Sequence, residues 1–69
     1  MKILDFKPFF DLETKVIITT KNKDKYTGII TGVNNGFDTY SGIDEIELCI
    51  GSDEYIDIEI PDIVSVEKL

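Results

Sequence analysis

One stretch limits the folds open to this 69-residue chain more than any other: Tyr26-Thr27-Gly28-Ile29-Ile30-Thr31-Gly32-Val33, running into Asn34-Asn35-Gly36-Phe37-Asp38. Its aromatic and β-branched residues read as a strand, yet two glycines stand four apart inside it. Glycine costs entropy in a strand and packs nothing, so its presence there marks a sharp bend or the close approach of another backbone. Two such positions in one strand predict a sheet forced to curl, as in a small barrel.

Size sharpens this expectation. A chain of 69 residues makes one domain, spanning 1–69, and buries only about 60% of the surface that its unfolded form exposes. Domains this small lean on disulfides, a metal or self-association. Cys49 is the single cysteine and there is no histidine, so an internal disulfide is impossible and a structural zinc is not expected. Self-association is the economical support that remains. No cofactor is expected. The N-terminal residues are broken by charge and by Pro8 before an apolar core of a targeting signal forms. No apolar run reaches the roughly 20 residues of a membrane-spanning helix. The expected compartment is the cytoplasm, which suits a lone free thiol.

The net charge of −7 is unevenly placed. Residues 1–37 carry six lysines against Asp5, Asp11, Glu13 and Asp24, giving +2. Residues 38–69 carry ten carboxylates against Lys68 alone, giving −9. Such an acidic half repels polyphosphate at long range, which argues against DNA and against non-specific nucleic acid. Acidity also simply keeps a small protein soluble.

In chain order, Phe6, Phe9 and Phe10 fall at helical spacing, with Asp5 as the N-cap. Pro8 fits only a first turn. The expectation is a helix of about two turns beginning at Pro8, its aromatic face plugging one end of the barrel. Residues 15–20 are a β-branched run, hence a strand. Residues 21–25 form its turn, placing Lys21, Lys23 and Lys25 at a hairpin tip ahead of the strand 26–33. Residues 39–44 make a polar connection. Asp38, Asp44 and Glu45 do not match the alternating ligand spacing of a calcium loop, so no metal is expected there.

Residues 45–50 and 55–60 alternate strictly, the mark of half-buried strands. Keeping Ile46, Leu48 and Ile50 on one face with Ile56, Ile58 and Ile60 sets residue 50 opposite 56, with Tyr55 in the loop. Glu47 then faces Glu59, and Cys49 faces Asp57, on the outer side. Like charges directly across a ladder are unfavourable. The acidic face formed by Glu47, Asp57 and Glu59 therefore invites a basic partner. Pro61-Asp62 breaks the run, and residues 63–67 make a last strand. The expected fold is mainly β: a short helix, then strands 15–20, 26–33, 45–50, 56–60 and 63–67 in a strongly bent antiparallel barrel.

This order, with its aromatic-x-Gly-x-aliphatic-x-Gly second strand, resembles the Sm-like (LSm) family across the whole chain, and small barrels of the SH3 type share its spacing. Tyr26 to Asn34 looks like the family's first motif. Ile58-Glu59-Ile60-Pro61-Asp62-Ile63-Val64-Ser65-Val66 looks like its second. The resemblance implies a homo-oligomer in which the fourth strand of one subunit pairs with the fifth of the next, here residues 56–60 with 63–67. That contact involves Ile56, Ile58, Ile63 and Val64. It also implies an RNA site, most of which this chain does not match. The family's first motif ends in Asp, any residue, a stacking side chain, an aliphatic and Asn. Here those places hold Asn34, Asn35, Gly36, Phe37 and Asp38. Gly36 offers no surface for a base to stack on. The Arg-Gly of the second motif is replaced by Glu59 and Ile60, and the chain contains no arginine. Stacking on such groups holds single-stranded bases at about 1–3 kcal/mol each.

Catalysis is not expected. Without histidine there is no ready proton shuttle near neutral pH, and Cys49 has no partner to activate it. Two function classes follow. The first is an acidic, self-assembling protein-contact module that also suits a basic protein surface. The second is an RNA binder using Lys21, Lys23, Lys25, Asn34, Asn35, Phe37 and Tyr40 in place of the family's usual residues.

Overall fold

Alternation organises the first strand. In β1 (Lys15–Thr20) the side chains of Val16, Ile18 and Thr20 turn inward and are buried, while their neighbours face out. A turn with Lys23 in the left-handed conformation (φ 68°) leads into β2 (Lys25–Asn34). β3 (Glu45–Gly51), β4 (Glu54–Glu59) and β5 (Ile63–Lys68) complete the strands. The computed structural model describes residues 1–37 and 39–69. Among these, the five strands form one antiparallel sheet in the order β4-β3-β2-β1-β5. No described helix is long and apolar enough to cross a membrane.

The sheet is curled, and the chain length at one corner requires it. β4 and β5 are opposite edges of the sheet, yet only the 3-10 turn Ile60–Asp62 joins them. In a flat sheet, strands about 4.8 Å apart would put the two edges roughly 19 Å from each other. Four residue steps from Glu59 to Ile63 reach about 14 Å at most. The corner is pinned at both ends. Ile60 N–H donates to the Asp44 carbonyl (2.9 Å), and Lys21 N–H donates to the Asp62 carbonyl (2.9 Å). The expected closed barrel is nevertheless not formed, because no ladder among the described residues joins β4 to β5. The corner hands the chain from one edge to the other, where β5 pairs with β1 instead.

The two glycines that set the expectation act differently. At Gly28 an added Cβ would overlap the Cys49 carbonyl and crowd Leu48 Cγ at 3.2 Å, so here β3 crosses close to β2. At Gly32 the nearest atom to an added Cβ is Glu47 Oε1 at 3.9 Å, an ordinary contact. Curvature at that point comes instead from the register shift between Ile30 and Gly32, a bulge that increases local twist.

The core is Phe6, Val16, Ile18, Ile30, Ile46, Leu48, Ile58, Ile60 and Ile63. Phe6 comes from the N-terminal segment, which differs from its expected form. It is a 3-10 helix over Ile3–Phe9 rather than a helix starting at Pro8. Asp5 caps it from within the first turn, accepting the Lys2 N–H at 2.7 Å. Side chains three apart eclipse in a 3-10 helix, whereas those four apart point about 120° away from each other. Phe6 and Phe9 therefore pack inward together, and Phe10 is left 43% exposed.

The β3–β4 register also departs from expectation. Parity holds, with Ile46 opposite Ile58 and Leu48 opposite Ile56 on the core side. The pairing is shifted by two residues, because a bulge between Cys49 and Gly51 expels Ile50, which is 41% exposed. A two-residue turn at Ser52-Asp53, with Asp53 at φ 59°, then closes on the Gly51–Glu54 pair. Tyr55 thus lies in β4 opposite Cys49 rather than in the loop.

Candidate functional site

The shifted register redraws the acidic face. Glu47 lies opposite Asp57, not Glu59, and Glu59 lies opposite Glu45. Cys49 faces Tyr55, and its thiol donates to the Gly51 carbonyl at 3.2 Å. The outer side of β3 and β4 therefore carries two directly opposed carboxylate pairs. Neighbouring β2 eases this crowding. Thr31 Oγ1 donates to Glu47 Oε1 at 2.8 Å, and Asn34 Nδ2 donates to Asp57 Oδ1 at 3.4 Å. No group of three or more His, Cys, Asp or Glu side chains among the described residues is placed to hold a metal ion.

The protein-contact candidates divide by burial. Ile58 and Ile63 belong to the core, so an edge contact reaches them through their backbone only. Ile56 is half-buried, and Val64 is 55% exposed. Asp57 is exposed and Glu47 and Glu59 are partly so. β4 and β5 being the two sheet edges, all the β4 and β5 candidates lie on strands with an unladdered side.

The nucleic-acid candidates are brought together only in part. Lys21, Lys23 and Lys25 are exposed around the β1–β2 tip. The side chain of Asn34 is engaged with Asp57, and Asn35 Oδ1 accepts the Phe37 N–H at 2.7 Å as a turn cap. The 35–44 loop is held by Gly36 N–H donating to Asp44 Oδ1 (2.7 Å) and by Thr39 Oγ1 donating to the Ile43 carbonyl (2.9 Å). Gly36 is required there, since an added Cβ would sit 2.5 Å from the Gly42 carbonyl oxygen. Phe37 and Tyr40 project from this loop fully exposed. Asp38, at the end of the first motif, lies outside the described residues.

Sequence reasoning missed a cleft of about 480 Å³ between the β1–β2 tip and the edge of β4. One wall is formed by Thr20, Lys21, Asn22, Asp24 and Tyr26; the other is residues 56–59, with Asp62 at the corner. Thr20 is only 8% exposed, and its hydroxyl has no hydrogen-bond partner among the described residues. The signal for it was present in the alternation Val16, Ile18, Thr20, where a hydroxyl continues an apolar stripe. No protein-family model, characterised protein or solved structure matches this chain.

Proposed function

We propose that this chain is a non-enzymatic, acidic Sm-like contact module that self-assembles by laying β4 of one copy against β5 of the next. The observation that carries this reading is that the sheet ends in two unladdered edges, β4 and β5, issuing from one three-residue corner. Unpaired edge strands template further pairing. A contact between different patches on each copy is head-to-tail and closes into a ring when the rotation permits. Such pairing supplies the buried area that a 69-residue chain lacks. Val64 on β5 offers the apolar contact, and Ile58 and Ile63 contribute backbone groups. The reading places the module in the reducing cytoplasm, where Cys49 remains a thiol. Light scattering across micromolar to millimolar concentrations tests it: masses at multiples of the monomer are expected, and a monomer throughout removes self-assembly.

A second reading rests on Phe37 and Tyr40. Two fully exposed aromatics on one loop offer stacking surfaces for single-stranded bases, although the adjoining carboxylates oppose phosphate. Fluorescence anisotropy with oligo-U and oligo-A at two salt concentrations decides between the readings. Micromolar binding that weakens steeply with salt and is lost in Phe37→Ala and Tyr40→Ala favours RNA.

A further inference from the structure

We infer that the open edge of β4 takes an extended basic segment of a partner protein, alternating lysine or arginine with apolar or hydroxyl side chains, in preference to β5 of a second copy. The inference rests on reading the chain as a protein-contact module and names the occupant of one edge. Four consecutive residues, 56–59, line the cleft. Because successive strand side chains point to opposite faces, a cleft bordered by all four runs along the strand's edge, where backbone donors and acceptors are unladdered. A strand added there would extend the sheet by β-augmentation. Its outward side chains would continue the rows that begin with the opposed pairs Glu47–Asp57 and Glu45–Glu59. Basic groups at those positions convert a like-charge ladder into an alternating one.

The cleft itself favours a cation. Asp24, Asp57, Glu59 and Asp62 line it against Lys21 alone. By contrast, β5 brings one carboxylate, Glu67, and one lysine, Lys68, so a second copy offers no net positive charge. Inward side chains of the added strand would meet Tyr26, Ile56 and Thr20. Thr20 lines the cleft, and its hydroxyl is buried without a partner among the described residues. A threonine hydroxyl both donates and accepts, so one brought to the cleft by rotation about χ1 would serve an incoming N–H or hydroxyl. A hydroxyl buried without a partner is costly unless something completes it.

The test uses the full chain, 15N-labelled, and an acetylated, amidated peptide of about seven residues alternating lysine with valine and threonine. The control peptide carries glutamate in place of lysine. Amide shifts are followed together with mass by light scattering. The lysine peptide is expected to shift the amides of Thr20, Tyr26, Ile56 and Ile58, and to weaken about fivefold or more between 50 and 200 mM salt. It is also expected to lower the mass of any assembly made through β4. Thr20→Val is expected to bind about tenfold more weakly while staying folded. Asp57→Asn with Glu59→Gln should weaken binding further. Equal binding of the glutamate peptide, shifts confined to β5 or to the 35–44 loop, unchanged affinity in Thr20→Val, or an assembly that the lysine peptide neither binds nor dissociates would each overturn the inference. The mass of the chain alone tests self-assembly separately. A monomer that binds the lysine peptide retains this inference and discards the ring; an oligomer that ignores the peptide does the reverse.

Discussion

Gly28 and Gly32 look equivalent in sequence, and the structure predicts opposite outcomes for the same substitution. In Gly28→Ala the new methyl must displace the Cys49 carbonyl, which is backbone held in the β2–β3 ladder, and must press on Leu48 Cγ at 3.2 Å. Overpacking of this kind costs about 1–3 kcal/mol or more, and lowering the unfolded chain's entropy returns about 0.4–1 kcal/mol. A domain of this length has about 3–10 kcal/mol of total stability, and each kcal/mol moves Tm by about 4–8 °C. Because the obstructing atom is backbone, the cost falls in the upper part of that range, leaving a net loss of about 1–2.5 kcal/mol, so Gly28→Ala should melt about 4–20 °C below the parent. Gly32 has room for a methyl and is not among the glycines with positive φ. Gly32→Ala should melt at or a few degrees above the parent, through the same unfolded-state term of about 0.4–1 kcal/mol. Thermal unfolding by circular dichroism, with urea titration to check that the m-value holds, reads both. Equal losses in the two variants, or a Gly28→Ala protein that melts with the parent, would refute the close-crossing argument.

Three further outcomes follow from the same geometry. Phe6→Ala should cost about 3–5 kcal/mol, much of the whole stability, whereas Phe10→Ala should cost about 0.5 kcal/mol; urea unfolding separates a 3-10 arrangement from an α-helical one, in which the two would be closer. Thr20→Val removes a buried hydroxyl that has no partner and should raise stability by about 1 kcal/mol, read as a rise in Tm. The pair Glu47→Gln and Asp57→Asn keeps amide oxygens for Thr31 and Asn34 while removing one opposed carboxylate pair. It should add about 0.2–1 kcal/mol, and raising salt to about 0.5 M should stabilise the parent more than the double variant.

What was legible in the sequence was what alternation encodes. Residues 15–20 read directly as β1, and period-two patterning places Ile46, Ile56 and Ile58 of the acidic strands on the core side, though not Ile50. Parity cannot fix register, since a shift of two residues preserves every face. The bulge at Ile50 and the tight Ser52-Asp53 turn decided it, and neither leaves a distinct hydrophobic pattern. The phenylalanine spacing fits both an α-helix, which turns Phe10 inward, and a 3-10 helix, which leaves it exposed as observed. Closure depends on which edges the corner at Ile60–Asp62 leaves facing each other, a property of tertiary geometry that no local motif states. The cleft escaped for the same reason: its two walls are thirty or more residues apart in the chain, and only the curl of the sheet brings Thr20 toward β4.

The central claim is that the chain self-assembles through its open sheet edges, and its molar mass in solution tests this most directly. Multi-angle light scattering on the full chain is expected to give multiples of the 7.8 kDa monomer that shift with concentration. A mass of 7.8 kDa at every concentration up to the millimolar range would contradict it.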